Sequence, residues 1–235
     1  MLRKACGTIC AITVATLSSL VSSSTSASAV TLYNGLSLPN QTPAQQGWLY
    51  QGTSVSTAPS ATATTSGTIL NTGNRTNYSG YFKSSPNALN RSTGYSIQFG
   101  VRISSESHSN NNRAGFSLIV MSASAAGETQ PYGIELGFWT NSIWAQNVGF
   151  TRGENAAFNT QSTVNTYTLS VQGLNYKLYV NGSSKPILQG ALRQYTGFTP
   201  PLGYPNPYTT PNLIFMGDDT TSATAIVIIT RVDQF

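Results

Sequence analysis

Gly133-Ile-Glu-Leu-Gly-Phe-Trp139, the connector Thr-Asn-Ser, and Ile143-Trp-Ala-Gln146 decide the fold class. Read with a side-chain period of two, they form a β-hairpin whose two faces differ in chemistry. Ile134, Leu136, Phe138 and Ala145 make one apolar face, which belongs to a core. Glu135, Trp139, Trp144 and Gln146 share the other face with Gly137. A two- or four-residue loop around Asn141-Ser142 sets Trp139 opposite Trp144, Gly137 opposite Gln146 and Phe138 opposite Ala145. Two indoles beside a carboxylate and an amide, over a glycine that leaves room, suit the stacking of sugar rings or other polar-edged ligands. The alternative is that the second face is also packed, under another sheet or loop, with the tryptophan pair as a cross-strand contact.

Outward from this hairpin, segments rich in Val, Ile, Tyr, Phe and Thr recur between Gly, Asn and Pro punctuation. They cover 94–103, 115–122, 132–139, 143–150, 167–171, 177–180, 213–216 and 223–232. Helical periodicity is nearly absent beyond the N-terminus, and there is no βαβ spacing. The expectation is an all-β, antiparallel two-sheet sandwich over 30–235 as one domain. In Tyr167-Thr-Leu-Ser-Val171 the alternation turns Tyr167, Leu169 and Val171 inward, and Asn181-Gly182 is a type I′ turn signal, because both central residues need positive φ. The Ser/Thr/Ala-rich stretch 52–67 reads as a loop or a weak edge strand, and 202–211, with prolines at 205, 207 and 211, as an extended loop of the kind that borders binding sites.

Residues 1–29 read as a secretory signal peptide: Arg3 and Lys4, then an apolar run from Cys10 to Val21, then Ala27-Ser28-Ala29 as the cleavage site. The expected mature chain begins at Val30 and is secreted, to the extracellular space or the periplasm. Both cysteines, Cys6 and Cys10, leave with the signal, so disulfides, thiolate metal sites and cysteine nucleophiles are excluded. Only 8% of the chain is charged, with a formal net charge of +5, and the basic residues are scattered singly. That argues against a nucleic-acid partner, which needs a clustered basic stripe. The longest later apolar run, Ala223 to Ile229, is strand-sized and too short to span a membrane.

The run from Tyr167 to Gly182, then Leu213-Ile-Phe-Met-Gly217 and a closing strand at 225–233, resembles the second half of a laminin-G-like, concanavalin A-like lectin/glucanase domain. Arg113-Ala-Gly-Phe-Ser-Leu-Ile-Val120, the hairpin quoted first, and Gly217-Asp-Asp-Thr-Thr-Ser-Ala223 further resemble a subgroup of exported bacterial domains of unassigned activity. The resemblance covers roughly residues 45 to 235. It implies the sandwich as a concanavalin A-like jelly roll, and constrains role less than fold. Members of that subgroup often carry a C-terminal sorting tail; none is read here, so the expectation is release.

Glycoside hydrolysis needs two carboxylates. In the glucanases this chain resembles, they project from alternate positions of one strand, where this chain has Glu135, Gly137 and Trp139: one acid only. Glu154, Glu106 or Asp218-Asp219 could approach Glu135 only through tertiary folding. The sole histidine, His108, lies in a Ser/Asn-rich stretch that reads as a loop, and no Gly-x-Ser-x-Gly motif is present. The expectation is therefore no catalysis, with a glycoside hydrolase or polysaccharide lyase as the catalytic alternative.

Asp218-Asp219 could ligate calcium through oxygen if a loop turned both acids to one ion; otherwise they form an acidic turn capping its own backbone. No other cofactor is expected. Arg113 could pair with a carboxylate such as Glu135 or stand at the rim. Tyr195, Tyr204 and Tyr208 either cover a ligand or pin the proline-rich loop to the body. Two functions emerge: a secreted carbohydrate-binding module using Glu135, Trp139, Trp144, Gln146 and Arg113, or a structural protein of the cell envelope. Exposure of the two tryptophans discriminates between them.

Overall fold

The structure is a computed structural model that describes residues 29–52, 60–76 and 78–235. The expected signal segment up to residue 28 lies outside the described residues. In chain order the strands are β1 (Val30–Asn34), β2 (Leu49–Gly52), β3 (Ser60–Thr64), β4 (Gly67–Asn71), β5 (Ser79–Ser84), β6 (Tyr95–His108), β7 (Ser117–Met121), β8 (Gly133–Phe138), β9 (Ser142–Gln146), β10 (Arg152–Ala157), β11 (Asn165–Gln172), β12 (Asn175–Val180), β13 (Leu188–Ala191), β14 (Leu213–Asp218) and β15 (Ala223–Gln234). Among the described residues the only helical turn is a short 3-10 segment, Pro43–Gln46.

The strands form two antiparallel sheets. One runs β13-β12-β11-β6-β15-β4-β3, with β1 also paired to β15; the other runs β10-β9-β8-β7-β14-β5-β2. The all-β sandwich expected from the alternation is thus what the chain adopts. Tyr167, Leu169 and Val171 point inward as their spacing requires, and pack with Ile97, Phe99, Ile134, Leu136 and Phe138 between the sheets. Phe99 lies 5.2 Å from Tyr167 in a stacked contact, and Phe138 meets both rings edge-on, at 6.0 and 5.3 Å.

Turn chemistry also holds. Asn181 and Gly182 have φ of 52° and 72°, and the Ser183 N–H closes the turn on the Val180 carbonyl at 3.0 Å. Within the Ser/Thr/Ala-rich stretch, Ser60–Thr64 is the edge strand β3, a place where the lack of large apolar side chains is tolerated.

Two details differ from expectation. The β8–β9 hairpin turns at Thr140-Asn141, with the Trp139 N–H donating to the Ser142 carbonyl at 2.9 Å, so Gly137 pairs with Trp144 and Phe138 with Ile143. A slip of two residues leaves every side chain on its expected face, because the pleat repeats every two. The segment expected as a strand through 150 stops at Gln146. Asn147 to Phe150 make a turn with Phe150 at φ 60°, and the polar strand β10 follows.

Candidate functional site

The outer face of the second sheet carries the residues singled out from the sequence. The strand pairings define two rows across it. One row reads Trp144, Gly137, Ser117, Gly217, Gly80 and Gln51; the next reads Glu135, Ile119, Phe215, Phe82 and Leu49. Three glycines in the first row leave a shallow trough, and large rings from the face lie down in it. A Cβ on Gly137 would stand 2.7 Å from the Trp144 indole, and one on Gly80 2.5 Å from the Phe215 ring. The space left by Gly137 is therefore filled from within the chain.

A roof closes much of this face. The segment joining β13 to β14 lays Tyr195, Phe198, Tyr204 and Tyr208 over Ile119, Met121 and Phe215, with Phe150 joining from the β9–β10 turn. Its prolines cannot donate ladder hydrogen bonds, so between backbone ties at Arg193 and Asn212 the segment is held to the face by side chains. The Tyr195 hydroxyl donates to the Gln146 carbonyl at 2.8 Å and accepts the Glu135 N–H at 3.0 Å. Asn206 ties the segment to itself through the Phe198 carbonyl and the Tyr208 N–H.

Beneath the roof lies a buried ionic cluster. Arg113 donates to Asp219 Oδ2 at 2.7 Å, and its Nη1 lies 3.7 Å from Glu135 Oε1. Ser117 donates to Glu135 Oε1 at 3.0 Å, while the Tyr208 hydroxyl sits 2.7 Å from Glu135 Oε2 and also contacts Asp219 Oδ2. One phenolic proton cannot serve two carboxylates, so the cluster favours holding a further proton. Burial first, then the charge of Asp219, pushes the Glu135 carboxyl up to about 7, against the lowering effects of Arg113, Tyr208 and Ser117.

The aromatic half of the site is stacked on itself. Trp144 is fully buried and donates to Gln146 Oε1 at 3.1 Å. Trp139, half-buried, donates to the Arg113 carbonyl and meets Trp144 edge-on at 4.8 Å. His108 stacks flat on Trp139 at 3.8 Å, with its Nδ1 2.9 Å from Glu106, and the Arg152 guanidinium lies 4.4 Å from both indole centroids.

Where the roof ends, the face opens. A groove of about 360 Å3 runs over Leu49, Phe82 and Leu213, flanked by Lys83, Thr210 and Pro205. At Phe82 and Pro205 it meets a narrow cleft of about 10 Å3, room for one water, lined by Phe198, Phe215, Pro200, Pro207, Gln51 and Asp219. Gln51 Nε2 and Asp219 Oδ1 are buried there without a hydrogen-bond partner among the described residues.

Solved structures share the sandwich. A conserved carbohydrate esterase from the Shiga toxin-encoding bacteriophage phi24B superposes with a TM-score of 0.55 at 14% identity, over 88% of this chain and 98% of that one. The likeness is one of fold. The calcium-bound VIP36 exoplasmic/lumenal domain (TM-score 0.49, 9% identity, 87% and 89% of the two chains) and the potassium-bound Emp46p carbohydrate recognition domain (0.48, 10%, 87% and 95%) are more distant. No protein-family model matches the sequence, and no curated protein matches it.

The tertiary structure gathers the sequence-derived residues but closes most of them off. Glu135, Trp144, Gln146 and Arg113 are buried, so the open stacking face expected of the two indoles is replaced by a roofed one. Tyr195 and Tyr208 pin the proline-rich segment to the body. Of the candidate second acids, Asp219 reaches Glu135 through Tyr208 and Arg113, whereas Glu154 pairs with Arg193 and Glu106 with His108. His108 ends a strand rather than lying in a loop.

Asp218 Oδ1 accepts the Thr220 N–H at 2.9 Å, and burial holds its carboxyl far above the usual range. Asp218 Oδ2 and Asp219 Oδ1 are each buried without a hydrogen-bond partner among the described residues. Among the described residues no group of three or more His, Cys, Asp or Glu is placed to hold a metal. Sequence reading missed Gln51 and Phe82, which lie in β2 and β5; neither short strand carries a strong alternation signal.

Proposed function

We propose that the chain is an exported, non-catalytic carbohydrate-binding domain whose glycan lies in the open groove over β2, β5 and β14. The observation that carries this reading is the groove itself, with an apolar floor of Leu49, Phe82 and Leu213 leading to two unpartnered buried polar atoms at its closed end. Apolar floors with a few convergent polar groups suit sugar rings, whose faces are apolar and whose edges carry hydroxyls. The absence of catalysis is part of the proposal and is supported by the way Tyr208 and Arg113 engage both Glu135 and Asp219 under the roof.

A second reading, a structural domain of the cell envelope, is favoured by the full burial of Trp144. Affinity electrophoresis of the purified protein through gels carrying different soluble polysaccharides separates the two. Retardation by at least one polysaccharide is expected, weakened by Leu49→Ala, because Leu49 is 50% exposed on the groove floor and can be truncated without opening the core. If no polysaccharide retards the wild-type chain, the structural reading replaces this one.

A further inference from the structure

We infer that the closed end of the groove is a pocket for an acetamido group, so that the glycan this domain selects contains N-acetylated sugars. The inference rests on the groove reading above and names the ligand chemistry of its deepest part. Asp219 spends Oδ2 on Arg113 and Tyr208 and leaves Oδ1 without a partner, an acceptor at one wall of the cleft. Gln51 leaves Nε2 without a partner, a donor at another wall. Both residues are only 3% exposed, and leaving a buried donor and a buried acceptor unsatisfied is unfavourable. The remaining walls are mostly apolar, built from Phe198, Phe215, Pro200 and Pro207, with the Tyr78 phenol as the other polar-bearing side chain in the lining.

An acetamido group matches all three features. Its N–H suits the free carboxylate oxygen, its carbonyl suits the free carboxamide N–H, and its methyl suits the ring and proline walls. In a trans amide the N–H and C=O point to opposite sides, so one group can reach across the cleft. Gln51 lies in β2 and Asp219 directly follows β14, strands with only β5 between them. A sugar hydroxyl could use the donor and the acceptor but would leave the apolar walls facing polar atoms. A single water has the same deficiency. Between its anchors at Tyr195 and Tyr208 the roof segment forms one side of the cleft and makes no sheet pairing, so this stretch can yield the few ångströms that a methyl group requires.

The test compares three trisaccharide probes on the full purified protein: N,N′,N″-triacetylchitotriose, its de-N-acetylated form, and cellotriose. The expected result is binding of the acetylated trimer at least about tenfold tighter than either of the others, as the gain of two satisfied buried hydrogen bonds requires. Gln51→Leu removes the unpartnered donor at similar volume, and a thermal melt reports whether it folds. It should cut the preference for the acetylated trimer to within about twofold. Phe198→Ala, which removes an apolar wall, should narrow the same preference.

Equal binding of the acetylated trimer and cellotriose overturns the acetamido pocket, as does an unchanged preference in both variants. Tightest binding of the de-N-acetylated trimer also overturns it, assigning Asp219 to an ammonium instead. In each case retention of some polysaccharide leaves the groove standing, whereas failure of every polysaccharide to bind overturns the groove itself.

Discussion

Replacing Glu135 by glutamine should change how stability depends on pH. In the folded protein the Glu135 carboxyl titrates at about 7, against 4.5 for the free side chain, mainly because it is buried and secondarily because Asp219 lies beside it. The raised value means that the folded chain keeps this proton where the unfolded chain has released it. The resulting stability is therefore fully present below pH 4.5, is lost as pH rises toward 7, and changes no further above that. A shift of that size corresponds to about 3 kcal/mol across the window.

Glu106 and Asp218 also have raised values, so the wild-type profile contains more than one contribution of the same sign. The informative quantity is the difference between wild type and Glu135→Gln, measured by urea unfolding at steps from about pH 4.5 to about pH 8. That difference should fall by about 3 kcal/mol up to neutral pH and then level off, with equal denaturant slopes for the two proteins. Parallel stability profiles would refute the assignment of the extra proton to Glu135. A difference that grows in favour of the wild type as pH rises would mean that Glu135 is held ionised by Arg113.

Trp144→Ala should destabilise the fold by about 3–5 kcal/mol in chemical denaturation, matching Phe138→Ala, because both rings are fully buried although they lie on opposite faces of one sheet. Gly137→Val should be similarly damaging, since any Cβ there meets the Trp144 indole. N-terminal sequencing of protein recovered from culture medium should begin at Val30, and a start at Met1 would remove the expectation of export.

The primary structure determines the faces and leaves open what covers them. Alternation in 133–146 and 167–180 assigns each side chain to an inner or outer surface, and those assignments survive even where the hairpin register is off by two, because a shift of two preserves the pleat. The Asn181-Gly182 turn is legible for a local reason as well, two adjacent positive φ values that few other residue pairs accept. Whether the outer face meets solvent is a different kind of question. It depends on a proline-rich segment some fifty residues downstream of the hairpin folding back so that Tyr208 reaches Glu135, and on Asp219 arriving beside Arg113 although 106 positions separate them in the chain.

Those contacts join residues whose separation in sequence carries no periodic signal, and they are chosen by burial and charge pairing once the sheets have formed. The same holds for the groove. Gln51, Phe82 and Leu213 come from three strands that become neighbours only through the order β14-β5-β2. Strand alternation therefore identifies a non-core face on β8 and β9, and tertiary packing moves the accessible part of that face to the far side of the sheet.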